Sequence, residues 1–148
     1  MTILACLDTS SGAQRVLDQG KLLAERFNAS LSLLHVIEPV ATYVPVGASM
    51  DVIATTPLDI DPDLTQVATQ RLEKLAGPLR AGGRDVSCQA VLGMAVDEIV
   101  ERAKTLHADY IILGSHGHGA IFHLFSGSVV NGVLKHSPVP VLVVPVKD

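Results

Sequence analysis

Four small residues at fixed spacing have the clearest chemical potential in this sequence. Gly114 and Gly117 are followed, after nine further residues, by Gly127 and Ser128. The run 109–113 before them is typical of a buried strand, and a helix is predicted to begin at Ser128. Glycine lets backbone N–H groups approach an anion closely, and a helix N-terminus adds free donors and a positive dipole end. The pattern predicts a phosphate-binding loop between a strand and a helix.

This loop matches neither of the common nucleotide-binding fingerprints. It contains no G-x-x-x-x-G-K-[ST] sequence and no lysine. Gly117 and Gly119 begin a G-x-G, but Phe122 occupies the position of the third glycine. The loop also follows the fourth predicted strand, whereas the dinucleotide fingerprint follows the first. These features exclude the P-loop and dinucleotide-binding classes.

Histidines in the same segment raise the alternative of a metal site. His116, His118 and His123 have no cysteine or carboxylate close by in the loop, which favours solvent-facing histidines over metal ligands. His35 lies within an apolar run and is predicted to be a hydrogen-bonded residue near the core. Ser115 lies outside any G-x-S-x-G sequence, so a hydrolase triad is not expected.

Composition limits the possible partners and compartment. The 148 residues are 48% hydrophobic and carry a formal net charge of -4, without a Lys/Arg run that would favour nucleic acid. Aromatic residues are 3% of the chain, too few for base-stacking platforms. Cys6 and Cys88 lie in apolar runs, as buried free thiols of a reducing compartment do. With no basic leader and no apolar run of ~20 residues, a cytoplasmic protein is expected.

Strand-like and helix-like segments alternate along the whole chain, which predicts one α/β domain over residues 1–148. Strands are predicted at 1–7, 30–37, 85–92, 109–113 and 139–145, and helices from Ser10 or Ser11 to 28 and at 62–80, 95–106 and 128–136. The Pro-containing segment 38–61 is predicted to be a long loop or lid. Such alternation indicates a parallel sheet with helices on both faces.

The strand ends indicate where a ligand would bind. In open parallel sheets, ligands bind beyond the carboxyl ends of the strands, where the strand order reverses. If the first and fourth strands are neighbours, Asp8 and Gly114 face each other across that crevice. Asp8 could also simply cap the following helix.

The last predicted strand has features of a sheet edge. Val139–Pro145 is very apolar, yet it contains Pro140 and Pro145, which cannot donate to a β-ladder. An exposed apolar edge promotes aggregation unless it is covered or paired. Pairing with a second copy of the chain is favoured over coverage by a loop, so a homodimer is predicted.

Taken together, these motifs resemble the ATP-binding branch of the universal stress protein family. Gly114, Gly117, Gly127 and Ser128 fill the G-x2-G-x9-G-[ST] signature of that branch at the required spacing. The segments 8–10, 34–37, 108–117 and 136–145 are similar to the family's first turn, second strand, fourth strand with its loop, and C-terminus. The resemblance implies a Rossmann-like, open five-stranded parallel sheet of order 3-2-1-4-5.

The resemblance also implies ATP as the ligand, with Mg²⁺ as an accompanying ion, and a role for each site residue. Asp8 and the Val36 backbone would contact adenine, and Gly114 would lie against the ribose. The phosphates would be held by a set that also includes loop histidines: His116, Gly117, His118, Gly127, Ser128 and the Val129 N–H. A basic residue commonly follows the second glycine in this family, whereas His118 stands here, which implies weaker or pH-dependent phosphate binding.

Three functional classes remain open on the sequence. The first is a dimeric, ATP-binding stress-response regulator with at most slow hydrolysis, because the loop lacks a lysine or arginine for the γ-phosphate. The second is an enzyme that acts on a nucleotide or another phosphorylated small molecule. The third is a ligand-free interaction module that works through its dimer edge. The glycines and Ser128 would then be ordinary turn and helix-start residues.

Overall fold

A computed structural model describes residues 1–8, 12–39, 63–116 and 128–146. Within these ranges five strands alternate with four helices. In chain order they are β1 (Thr2–Cys6), α1 (Ala13–Phe27), β2 (Ser30–Ile37), α2 (Asp63–Ala81), β3 (Val86–Leu92), α3 (Ala95–Thr105), β4 (Tyr110–His116), α4 (Ser128–His136) and β5 (Val141–Val146). The segment predicted as a loop or lid lies mostly outside the described residues.

The strands form one parallel sheet of order β3-β2-β1-β4-β5. Ala5 of β1 is paired with Leu33 of β2 on one side and with Ile112 of β4 on the other. The Rossmann-like fold class and the strand order predicted from the sequence are therefore confirmed. Because β1 and β4 are neighbours, the order reverses between them, and their carboxyl ends flank the crevice where a ligand is expected.

Each face of the sheet is covered by two helices, which produces two hydrophobic cores. The core under α1 and α2 contains Ile3, Leu33, Leu72 and Ile112, among others. The core under α3 and α4 is built in the same way around Leu4, Leu34, Ile99, Ile111 and Val133. Since the central strands are buried on both faces, residues 3–5 and 111–113 are continuously apolar rather than alternating.

Two glycines allow helices to pack closely. A Cβ on Gly20 of α1 would come within 3.1 Å of the Leu31 side chain on the sheet. A Cβ on Gly132 of α4 would come within 2.5 Å of Val96, which brings α3 and α4 into direct contact. The second contact fixes the relative position of the two helices that begin near the crevice.

Several predicted boundaries and faces differ from the structure. Strand β4 continues through Gly114 and Ser115 to His116, because pairing with β5 extends as far as His116 opposite Val146. Helix α1 begins after an N-cap at Gly12, with no side-chain cap, rather than after Ser10 or Ser11.

The buried faces of two helices are narrower than their apolar residues alone would indicate. Leu22 and Phe27 of α1, and Leu64 and Val67 of α2, are apolar but exposed. The first helix instead buries smaller residues, Gly20 and Ala24, where it crosses the sheet closely.

The edge position of the last strand is confirmed, because β4 is the one neighbour of β5 among the strands that the structure describes. The strand spans Val141–Val146 rather than Val139–Pro145. Leu142 remains 38% exposed on it. Among the helices that the structure describes, none is both long and apolar enough to cross a membrane.

Candidate functional site

A cleft of about 290 Å³ lies at the carboxyl ends of β1 and β4, where the strand order reverses. Its described lining comes from the strand ends and from the first turns of α1, α3 and α4: Cys6, Leu7, Asp8, Gly12, Val16, Leu34, Val36, Glu38, Ala95, Ile99, Leu113, Gly114, Val129, Val130 and Val146. Four residues predicted from the sequence, Asp8, Val36, Gly114 and Val129, are thus brought together around one cavity. The crevice predicted between Asp8 and Gly114 is present.

At one end of the cleft, the lining includes Asp8, just after β1, and Val36 of β2. The ladder between β1 and β2 reaches Cys6 opposite Leu34, and the Leu7 N–H then donates to the Leu34 carbonyl at 2.8 Å. Alternate residues of a parallel strand direct their backbone groups to the same neighbour, so the Val36 peptide faces the β1 side just beyond this ladder. Asp8 lines the same cavity, so this end combines a carboxylate with backbone groups of β2.

Gly114 lies within β4, paired with Val144, and is not a turn residue. A Cβ at this position would come within 3.1 Å of Val146 and 3.2 Å of Val16. The absence of a side chain at Gly114 is therefore explained by packing between β4, β5 and α1. The same lack of a side chain keeps the floor of the cleft open.

At the other end of the cleft, α4 begins. Val129 and Val130 line the wall there, and the first turn of the helix contains no acidic residue. Lys135 and His136 occupy its last turn, where positive charge stabilises the helix dipole. This helix start is thus an electropositive end that can receive an anion.

The remaining predicted site residues lie at or beyond the edges of the described chain. Gly117, His118 and Gly127 fall outside it, so their roles stay predictions. His116 is the last residue of β4 and Ser128 the first of α4. The two elements that should hold the phosphate-binding loop therefore end and begin at the cleft.

Sequence reasoning missed Glu38, Gly12 and Val146 as cleft residues. Glu38 follows β2 directly and accepts a hydrogen bond from the Ala95 N–H at 3.0 Å, at the start of α3. It was assigned to the Pro-containing loop 38–61, although a carboxylate directly after a strand is the same signal that identified Asp8. Gly12 and Val146 line the cleft without a reactive or charged side chain, so the sequence alone does not mark them as site residues.

His35 lies on the face of the sheet opposite to the one that α3 and α4 cover. Its Nδ1–H donates to the Leu7 carbonyl at 2.8 Å, and the ring is half-buried. The prediction of a hydrogen-bonded histidine near the core is confirmed. Within residues 1–8, 12–39, 63–116 and 128–146, no cluster of three or more histidine, cysteine, aspartate or glutamate side chains is suited to hold a metal ion.

Both cysteines are free, as predicted, but they are half-buried rather than fully buried. Burial raises the pKa of the Cys6 thiol, which lies in the cleft wall. Burial, reinforced by the nearby Glu73 carboxylate, raises the pKa of Cys88 to about 11. Neither thiol is an activated nucleophile, because the reactive thiolate is scarce at neutral pH.

Alkylation of Cys88 should therefore be slow at pH 8 and should accelerate with rising pH up to about 11. Only about one thiol in a thousand is ionised three pH units below the pKa, and the thiolate is the reacting form. Mass spectrometry after iodoacetamide treatment would measure the rate at each pH. In urea-denatured protein the rate should reach half of its maximum near pH 8.5, the ordinary pKa of cysteine. A native rate with its midpoint also near pH 8.5 would contradict the raised pKa of Cys88.

An open parallel sheet with a cleft at its switch point defines the class of α/β proteins that bind a small ligand beyond their strand ends. A family model described as the universal stress protein family matches residues 1–145. The chain belongs to this family.

Relatives match along nearly the full length of the chain. Universal stress protein A homolog 2 of Coxiella burnetii is 32% identical over 146 residues, which cover 98% of this chain and 94% of that protein. Homolog 1 of the same organism is 27% identical over 146 residues, covering 99% and 96%.

Solved structures show the same fold. MJ0577 of Methanocaldococcus jannaschii superposes with a TM-score of 0.75 and 30% identity, covering 99% of this chain and 96% of that one. A universal stress protein in complex with cAMP matches with a TM-score of 0.69 and 23% identity, covering 99% and 98%. A complex of the Archaeoglobus fulgidus protein with dAMP matches with a TM-score of 0.66 and 20% identity, covering 97% and 96%. At this identity, the last two comparisons establish the fold alone.

Proposed function

We propose that this protein binds an adenine nucleotide, ATP with Mg²⁺, in the cleft between β1 and β4. The observation that carries the proposal is the convergence of Asp8, Val36, Gly114 and Val129 on one cavity at the switch point. Complexes of two family members with cAMP and dAMP support an adenine nucleotide as the class of ligand.

The lining suits the adenosine part of such a ligand. Apart from Asp8 and Glu38, the described cleft walls are made by glycine and apolar residues, against which a purine and a ribose can pack. Asp8 would accept a hydrogen bond from the adenine amino group, and the Val36 backbone would complete the contact with the base. Gly114 would leave room for the ribose, because no side chain projects from it.

The phosphates would lie at the start of α4. Ser128 and the Val129 N–H would donate to phosphate oxygens, together with loop residues His116, Gly117, His118 and Gly127. The dipole of α4 favours negative charge at this end. Bound Mg²⁺ would neutralise part of the triphosphate charge.

The chemistry of the cleft favours holding nucleotide over cleaving it. Fast phosphoryl transfer uses a lysine or arginine against the γ-phosphate. Among the cleft residues that the structure describes, the charged side chains are the carboxylates of Asp8 and Glu38. We therefore assign the protein a role as a cytoplasmic stress-response switch or sensor with at most slow ATP hydrolysis.

The free edge of β5 provides the surface for a homodimer. The strand pairs with β4 on one side, and Leu142 is exposed on it. Pairing of two β5 edges would satisfy their backbone groups and cover this apolar residue.

Mass spectrometry of nucleotide released from denatured protein tests the proposal. The purified chain should release ATP, ADP or AMP, or take up ATP on incubation when purified free of it. Protein that neither releases nor takes up an adenine nucleotide would leave the ligand-free interaction module. Turnover above ~1 per second, within the usual range of enzymes, would favour an enzyme instead.

If His118 replaces the usual basic residue, ATP should bind more tightly at pH 5.5 than at pH 8. An unperturbed imidazole becomes cationic below about pH 6.5 and then attracts phosphate. Calorimetry across this range measures the change, and His118→Arg provides the pH-independent control. Equal affinities at pH 5.5 and pH 8 in the unmodified chain would contradict a role for His118.

A further inference from the structure

Two helices on the same face of the sheet begin at the cleft. Ala95 at the start of α3, and Val129 and Val130 at the start of α4, all line it. A helix N-terminus offers unpaired N–H donors and a positive dipole end, so either helix could receive a phosphate. Because Ala95, Val129 and Val130 line one cavity, a ligand in it can reach both helix starts.

The two helix starts differ in their charge. At α3, the Glu38 carboxylate already accepts a hydrogen bond from the Ala95 N–H at 3.0 Å. The first turn of α3 adds Asp97 and Glu98. The Glu98 carboxylate packs over the backbone just before the helix, since a Cβ on Gly93 would lie only 2.5 Å from its Oε1. The first turn of α4 contains no acidic residue.

We propose that Glu38 is a specificity-determining residue that sets the orientation of the nucleotide in the cleft. Its carboxylate occupies one of the N-terminal donors of α3, the Ala95 N–H, and its charge repels phosphate from that helix. The phosphates are thereby directed to α4, on the same face. This role rests on the proposed binding of an adenine nucleotide.

The position of Glu38 supports this role beyond simple helix capping. A capping residue normally comes from the turn directly before its helix. Glu38 instead reaches α3 from the end of β2, 57 residues earlier in the chain, and lines the cleft itself. Its charge therefore lies where it acts on a ligand as well as on the helix.

Two substitutions separate the hydrogen bond from the charge. Glu38→Ala removes both and leaves the Ala95 N–H open to an anion. Glu38→Gln keeps an oxygen that can accept from Ala95 but removes the charge. We expect phosphate to bind at α3 in Glu38→Ala only. We expect ATP to bind Glu38→Gln about two- to fivefold more tightly than the unmodified chain, the usual size of a charge effect near a helix end.

The test is a titration of the isotope-labelled chain with ATP and, separately, with inorganic phosphate, followed by amide NMR. In the unmodified chain and in Glu38→Gln, the Val129 amide should shift and the Ala95 amide should not. In Glu38→Ala, inorganic phosphate should shift both amides, and ATP should give a second set of Ala95 signals from the reversed orientation.

The outcomes separate this inference from the proposed function. Absence of any ATP-induced shift in the unmodified chain would overturn nucleotide binding, and the role of Glu38 with it. A second outcome would overturn the role of Glu38 alone. In that outcome ATP shifts the Val129 amide signal, but neither ATP nor inorganic phosphate shifts the Ala95 amide signal in folded Glu38→Ala. If Glu38→Ala failed to fold, an unchanged ATP affinity of Glu38→Gln would overturn it instead.

Discussion

Replacing Gly127 with valine is expected to weaken ATP binding by at least ~100-fold while the fold is retained. Residue 127 directly precedes Ser128, where α4 begins at the cleft. In the proposed site, a side chain here would hold the backbone away from the phosphates. Loss of two hydrogen bonds to a charged group, each contributing about 1.5–3 kcal/mol, accounts for the expected change. Calorimetry measures the affinity, and circular dichroism measures the fold.

Gly82→Val is the matched control for this substitution. Gly82 follows α2 at the opposite end of the sheet from the cleft, and a Cβ there meets neighbours at ordinary distances of 3.4 Å and 3.6 Å. This variant should bind ATP with unchanged affinity. An unchanged affinity in Gly127→Val would refute the assignment of phosphate binding to this loop.

Replacing Gly12 with alanine is expected to destabilise the protein by about 1–3 kcal/mol, the usual cost of overpacking. The new Cβ would lie 2.0 Å from Cγ1 of Val146, so strand β5 or helix α1 would have to move. The φ of -77° at Gly12 is allowed for alanine, so the effect is steric and not conformational. Urea unfolding measures the change in the free energy of unfolding.

The cost should be partly relieved in the double variant Gly12→Ala/Val146→Ala. Removing two methyl groups from Val146 creates the space that the new Cβ needs, so the two changes should be coupled by about 1 kcal/mol or more. Gly82→Ala, whose Cβ has room, should leave stability nearly unchanged. Strict additivity of the Gly12 and Val146 substitutions would disprove the contact.

The parallel sheet was predictable because its central strands are continuously apolar: residues 3–5 and 111–113 are buried between helices on both faces. The strand order was implied by the resemblance to the universal stress protein family, and the location of the cleft followed from the expectation that the first and fourth strands are neighbours. The prolines of the last strand similarly indicated its edge position. The start of α4 at Ser128 was predicted correctly from the small residues before it and the apolar spacing after it.

The contacts around the cleft were less predictable, because they depend on distant parts of the chain. Glycine and histidine at 114 and 116 are typical of a loop, yet pairing with Val144 and Val146 keeps them in β4. Glu38 accepts a hydrogen bond from Ala95, 57 residues later in the chain, and no local sequence pattern predicts that partner. At these positions, contacts between distant parts of the chain determine the structure more than local secondary-structure propensity does.

The central claim is that the cleft between β1 and β4 binds an adenine nucleotide. Isothermal titration of nucleotide-free protein with ATP, in the presence and absence of Mg²⁺, tests it most directly. The account predicts saturable binding of one ATP per chain, which Gly127→Val weakens by at least ~100-fold and Gly82→Val leaves unchanged. An absence of measurable binding under both conditions would contradict it.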